Sequence, residues 1–155
     1  MPKIISALLF ISFFSLNANA QKPVLTDGLN HLGLTVSNLD KSVAFFTDTL
    51  GWEVKGGDPK YPAKYVSDGE LFLTLWQTTA DQEVIEFNRK NNVGLHHLAI
   101  SVISFEALDE LHERFKEVEG VVIEFAPEPA NGGPAKHIMI REPSGNRLEF
   151  VFRPS

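Results

Sequence analysis

Apolar and polar residues alternate from position 31 to 36, with Leu32, Leu34 and Val36 on one side and His31, Gly33 and Thr35 on the other. A period of two predicts a strand with one apolar face. The alternation returns later in the chain, where Leu98, Ile100 and Val102 oppose His97, Ala99 and Ser101. After each strand the period changes to that of a helix. Leu39, Val43, Phe46 and Leu50 form one apolar stripe, opened by Asn38 and stopped by Gly51; Leu108, Leu111, Phe115 and Val118 form another between Ser104 and Gly120. A capping Asn or Ser before the stripe and a Gly after it mark the helix ends. Behind each helix there is room for three shorter strands, at 52–55, 64–67 and 71–77 and again at 121–125, 137–141 and 147–152.

The two halves are copies of one unit. Gly28 to Val36 aligns with Gly94 to Val102, every position identical or alike except Asn30 against His96, and Pro62-Ala63-Lys64-Tyr65 returns as Pro134-Ala135-Lys136-His137. Internal repetition at this scale makes each copy a supersecondary unit, here βαβββ. The predicted fold is therefore α+β. Modules over about 26–78 and 92–153 are joined by a linker helix over about 79–91, where Val84 and Phe87 stand in a polar context. The sheets of the two modules are expected to curl as one mixed sheet around a cavity.

Composition narrows the chemistry. The chain has 155 residues, a formal charge of -6 and no cysteine. Thiolate zinc sites, disulfides and cysteine nucleophiles are excluded, so any metal falls to His, Asp or Glu. No basic run offers a footprint for nucleic acid or an anionic membrane. Residues 1–20 read as an export signal: Lys3, an apolar run from Ile4 to Leu16, and Ala18-Asn19-Ala20 before Gln21. The run is too short to span a bilayer, which needs about 20 residues. The mature chain, a single domain over 21–155, is expected in the periplasm or outside the cell, with no membrane attachment.

His31 and His97 hold the same place in the two repeats, on the strand face away from the helix. In the last strand Leu148, Phe150 and Phe152 take the helix side, which turns Glu149 to that same face. A carboxylate between apolar neighbours in a strand is costly unless paired or metal-bound. Read singly, each histidine is a core residue and Glu149 an edge charge. Together, two repeat-related imidazoles and a carboxylate make a three-ligand site with open positions, suited to one divalent ion of Fe, Mn, Ni or Zn. His96 has the opposite parity and is not counted as a ligand; His112, mid-helix, is expected at the surface. His137, Met139 and Arg141 share a face beside Glu149; Met139 and Arg141, with Thr74, are candidate substrate contacts, and His137 is the candidate acid/base, with a surface histidine as the other reading. Phe72, Trp76 and Tyr65 would wall the cavity toward substrate, or else belong to the core, and Thr74 lies opposite Glu149 in the symmetric position.

The tandem modules, the opening pattern of residues 28–51 and the closing Glu142-Pro143-Ser144-Gly145-Asn146-Arg147-Leu148-Glu149 resemble the vicinal oxygen chelate superfamily, which includes glyoxalase I, fosfomycin-modifying transferases, extradiol dioxygenases and bleomycin-resistance proteins. The resemblance implies that His31, His97 and Glu149 are metal ligands. It also implies a metal that chelates two neighbouring substrate oxygens, lyase, isomerase or dioxygenase chemistry, and a homodimer, in some members with modules exchanged between chains. Departures are specific. Thr74 stands where glyoxalase I has a carboxylate or Gln, Met139 where the dioxygenases have Tyr, and Gly33 where the fosfomycin transferases have Thr. The alternative is a protein that sequesters a small ligand without catalysis, as bleomycin-resistance proteins do; those members generally lack the ligands present here.

Overall fold

The structure, a computed structural model, describes residues 24–79, 83–130 and 132–154. The expected export segment lies outside these residues. Strand β1 (Leu32–Val36) leads into helix α1 (Leu39–Ala44), followed by β2 (Glu53–Asp58), β3 (Ala63–Ser67) and β4 (Phe72–Gln77). The second module repeats the series with β5 (Leu98–Ser101), α2 (Phe105–Lys116), β6 (Val122–Pro129), β7 (Lys136–Arg141) and β8 (Arg147–Phe152). Both predicted N-caps form: Asn38 Oδ1 accepts the Lys41 N–H at 3.0 Å and Ser104 Oγ the Ala107 N–H at 3.1 Å. The first stripe does not finish as an α-helix. It continues as a π-helical turn over Phe45–Thr49, which brings Phe45 inward beside Phe46, before Gly51 ends it at a φ of 76°.

Each module makes its own four-stranded sheet, ordered β1-β4-β3-β2 and β5-β8-β7-β6. The helix crossover makes β1 parallel to β4 and β5 parallel to β8; hairpin connections make the other pairs antiparallel. The α+β tandem-module architecture is as predicted, but the two sheets stay separate rather than closing into one curled sheet. Both β2 and β6 are bulged at the same point of the repeat, leaving Lys55 and Glu124 as the extra residues.

The predicted linker helix is not formed among the described residues: 83–88 have no regular structure and 89–91 form a turn. Val84 and Ile85 are exposed there. With two apolar positions facing water and only Phe87 partly covered, the segment lacks a face to bury, and tertiary burial is what stabilises short helices. No helix among the described residues is long and apolar enough to cross a membrane.

One core joins the modules. Phe45 stacks on Phe115 at 5.8 Å between ring centroids, and Phe115 meets Phe150 at 5.1 Å. Leu34, Val36, Leu73 and Leu75 from the first module belong to the same cluster as Ile138, Ile140, Leu148 and Phe150 from the second. A polar knot sits at the junction. The Glu142 carboxylate is fully buried and accepts three hydrogen bonds, from Ser42 Oγ at 2.7 Å, Asn146 N at 3.1 Å and Asn146 Nδ2 at 2.9 Å. Ser144 Oγ accepts from the Ser37 and Asn38 backbone, and Asn146 Nδ2 also donates to Thr35 O. The β7–β8 turn of one module is thereby tied to the start of α1 in the other.

Ser42→Ala removes a donor from a carboxylate that water does not reach, at a cost of about 1–3 kcal/mol. Urea unfolding should show a lower midpoint with unchanged slope; an unaltered midpoint would mean that the knot adds nothing to stability.

Candidate functional site: paired imidazole and carboxylate on the second sheet

β5, β8 and β7 are neighbours, and their register sets Ala99 against Glu149 and Met139 against Glu149. Leu148 and Phe150 are buried in the core, so Glu149 turns to the opposite face as the alternation requires. It stands between two histidines. His137 Nδ1 donates to Glu149 Oε1 at 2.5 Å, and His97 Nε2 lies 3.1 Å from Glu149 Oε2. The Glu149 side chain is 13% exposed, His137 17% and His97 33%, so the group is shielded but reachable from one side.

The protons on these histidines follow from their partners. A guanidinium only donates, so His96 Nδ1, 3.4 Å from Arg147 Nη1, is an acceptor there. His97 Nδ1, 2.8 Å from the same His96 atom, is then the donor. Partial desolvation, followed by the charge of Arg147, holds the His96 pKa below its ordinary value, in keeping with a neutral acceptor. A neutral His97 therefore presents a lone pair at Nε2 toward a carboxylate oxygen that is also an acceptor. Two acceptors 3.1 Å apart repel unless positive charge lies between them. A proton on Nε2 supplies it, and so does a divalent ion, whose neighbouring ligands at about 2.1 Å stand roughly 3 Å from each other. His97 and Glu149 thus stand at the spacing of two ligands, without a third beside them to complete a site among the described residues of one chain.

His31 precedes β1, is exposed, and pairs its Nδ1 with Asn30 Oδ1 at 2.8 Å. Since Oδ1 only accepts, the lone pair of neutral His31 is at Nε2. Asn30 thus does for His31 what His96 does for His97, although this is the one unlike position in the repeat. Among the described residues, no three His, Cys, Asp or Glu side chains of a single chain are arranged to hold a metal. The expected convergence of His31 with His97 and Glu149 does not occur within one chain, because the sheets that carry them are separate.

The other predicted residues divide by module. Thr74 pairs in register with Gly33 on the His31 side, and its Oγ1 accepts the Trp76 indole N–H at 2.9 Å. Gly33 is tightly covered there, with Thr74 Oγ1 only 3.3 Å from where a Cβ would stand. Tyr65 lies 6.1 Å from both Phe72 and Trp76, and Tyr61 5.2 Å from Trp76, so the four rings form one cluster. Met139 is buried next to Glu149, and Phe125 covers the His137 ring at 4.9 Å. Arg141 reaches Glu124 rather than Glu149. His112 is half-buried, not at the surface as expected.

Three residues escaped the sequence reading. His96 was set aside by strand parity, yet β5 begins only at Leu98, so parity does not apply to it. Glu124 is the bulged residue of β6, which alternation also misplaces. Its carboxylate accepts from Arg141 Nε at 2.9 Å and Arg147 Nε at 2.7 Å, and Arg89 Nη1 lies at 3.7 Å. Burial raises the Glu124 pKa, but hydrogen bonds from Arg147 and Arg141 outweigh it, and the carboxyl is held below its usual range. Tyr61 lies in a turn and no periodicity marks it.

Comparison with known proteins agrees with this architecture. Lactoylglutathione lyase of Salmonella typhimurium is 28% identical over 128 residues, covering 79% of this chain and 90% of that protein. A glyoxylase/bleomycin resistance protein/dioxygenase domain from Frankia sp. EAN1pec superposes with a TM-score of 0.71 at 25% identity, over 83% of this chain and 99% of that one. At 22% identity, a mutant fosfomycin resistance protein, FosX, from Listeria monocytogenes, solved with Mn(II) and dihydroxypropylphosphonic acid, shares the fold, with a TM-score of 0.64 over 84% and 95% of the two chains. The profile of one family matches residues 28–150, nearly the whole of both modules. The chain belongs to the glyoxalase/bleomycin resistance protein/dioxygenase superfamily.

Proposed function

We propose that this protein is an exported, metal-dependent enzyme acting on a small molecule with two neighbouring oxygens, and that it works as a homodimer. The observation that carries the reading is the approach of His97 Nε2 to Glu149 Oε2 at 3.1 Å, the spacing of two neighbouring ligands of one ion. In this reading His97 and Glu149 hold the ion together with His31 of a second copy. A two-fold pairing of chains brings each first module against a second module and makes two equivalent sites. The ion, when bound, supplies Lewis acidity toward the substrate oxygens.

The chain's own groups do the rest. His96 and Asn30 fix the tautomers that leave each Nε2 lone pair available, and His137 orients the carboxylate of Glu149 through its other oxygen. Tyr65, Phe72, Trp76 and Tyr61 present flat apolar surface to a substrate on the His31 side. Thr74 carries no base, so a proton shift of the glyoxalase type would depend on another group, with His137 as the candidate.

His97→Ala and Glu149→Ala should each lower Mn affinity by far more than the ~10–100-fold expected of His137→Ala, which removes only an orienting partner. Thr74→Ala should leave affinity unchanged. Isothermal titration of the apo protein measures all four, and equal affinities across the set would remove the metal reading in favour of a sequestration protein. Mixing His31→Ala chains with Glu149→Ala chains should restore one intact site in each mixed dimer, although neither variant binds metal tightly alone. If the mixture stays as weak as its parents, the shared site is wrong. For export, N-terminal mass spectrometry of protein from the periplasm or medium should find Gln21 first; an intact Met1 would refute processing.

A further inference from the structure

Arg141 and Arg147 are directly paired across β7 and β8 and lie on the Glu149 face, since each is two residues along its strand from Met139 or Glu149. That spacing is roughly 7 Å. Each guanidinium is bound to Glu124 through Nε alone, one to each carboxylate oxygen. Among the described residues no protein acceptor takes the Nη1 or Nη2 protons of Arg141, and Arg147 spends only Nη1, on His96. Arg89 approaches the same carboxylate from the segment between the modules, so three guanidinium charges face one carboxylate. Arg147 is buried, with 8% of its side chain exposed, while Arg141 is one-third exposed. Arg141 also borders a cavity of about 400 Å³ whose other polar lining includes Ser144, Glu86 and the Glu142 already committed to Ser42 and Asn146.

A surplus of fixed, half-buried positive charge in a chain of net charge -6 is costly unless an anion answers it. The Nε anchoring matters as much as the charge. It leaves the terminal nitrogens of Arg141 in the forked arrangement that matches two oxygens of one oxyanion. We propose that Arg141, held by Glu124 and seconded by Arg147, is a subsite for an oxyanion group, a carboxylate or phosphoryl group, beside the His97–Glu149 pair. Where the metal-dependent reading above holds, this group belongs to the substrate; the subsite itself does not need the metal. The substrate class is then a small anion with its neighbouring oxygens about one strand repeat from its charged end.

The test uses the full mature chain, free of metal, with the Arg Nε–Hε resonances followed by NMR at constant ionic strength set with chloride. Inorganic phosphate and acetate are titrated separately. At least one should shift the Arg141 resonance saturably, and the stronger of the two identifies a phosphoryl or a carboxylate ligand. Arg141→Gln, followed through Arg147, should weaken that binding about tenfold or more, as expected for a lost charge-assisted fork. Arg141→Lys, which keeps a cation beside Glu124, should also weaken it and stands in if the Gln variant does not fold. Absence of saturation with either anion, or wild-type affinity in the folded variant, overturns the proposal. Mn titration of the same samples separates the two ideas: metal binding without anion binding rejects the subsite alone, and anion binding without metal binding rejects the metal reading alone.

Discussion

A carboxylate fully removed from water at the seam between two modules is the constraint on which the architecture rests. Glu142 is satisfied only if the β7–β8 turn supplies Asn146 and α1 of the other module supplies Ser42. Burying a charge without its partners costs far more than any single contact returns. The knot therefore fixes how the modules sit, and the aromatic contacts of Phe45, Phe115 and Phe150 fill the space that this arrangement defines. Because the turn that carries Glu142 also starts β8, the same constraint sets the position of Glu149 seven residues on.

The chemistry of the second sheet depends on directionality more than on proximity. Arg147 has only donors, and that single fact passes through His96 to His97 and decides which nitrogen of His97 is left with a lone pair. In the first module an amide achieves the same result in one step. Unlike residues at the repeat's odd position thus serve like ends, and each module presents one imidazole in the same tautomer.

What could be read in advance was whatever obeyed a period. Strand parity put Leu73 and Leu75 on the helix face and Thr74 on the opposite one, where it too is buried, and put Glu149 on the face with Met139, because ladder geometry leaves each residue only two directions. Capping chemistry found Asn38 and Ser104. Parity failed where regular structure stops: His96 lies ahead of β5, Glu124 is the extra residue of a bulge, and Tyr61 sits in a turn. The linker helix failed for a different reason, since local pattern cannot see that no surface is available to cover Val84 and Ile85. The separation of His31 from His97 was hidden because a repeat declares equivalence, not adjacency.

The bulges at Lys55 and Glu124 mark a repeat position at which both modules carry a residue in excess of the ladder. Such a residue has no partner to match across the strands, so ladder pairing does not dictate its identity; Lys55 makes only an exposed pair with Glu53, whereas Glu124 is committed to the two arginines it accepts from. The duplicated scaffold already holds opposite charges there. It carries, in effect, one free dial and one committed one: the charge at position 55 can be reset by a single codon while the interior keeps its settings, but a change at 124 strips two guanidinium groups of their carboxylate.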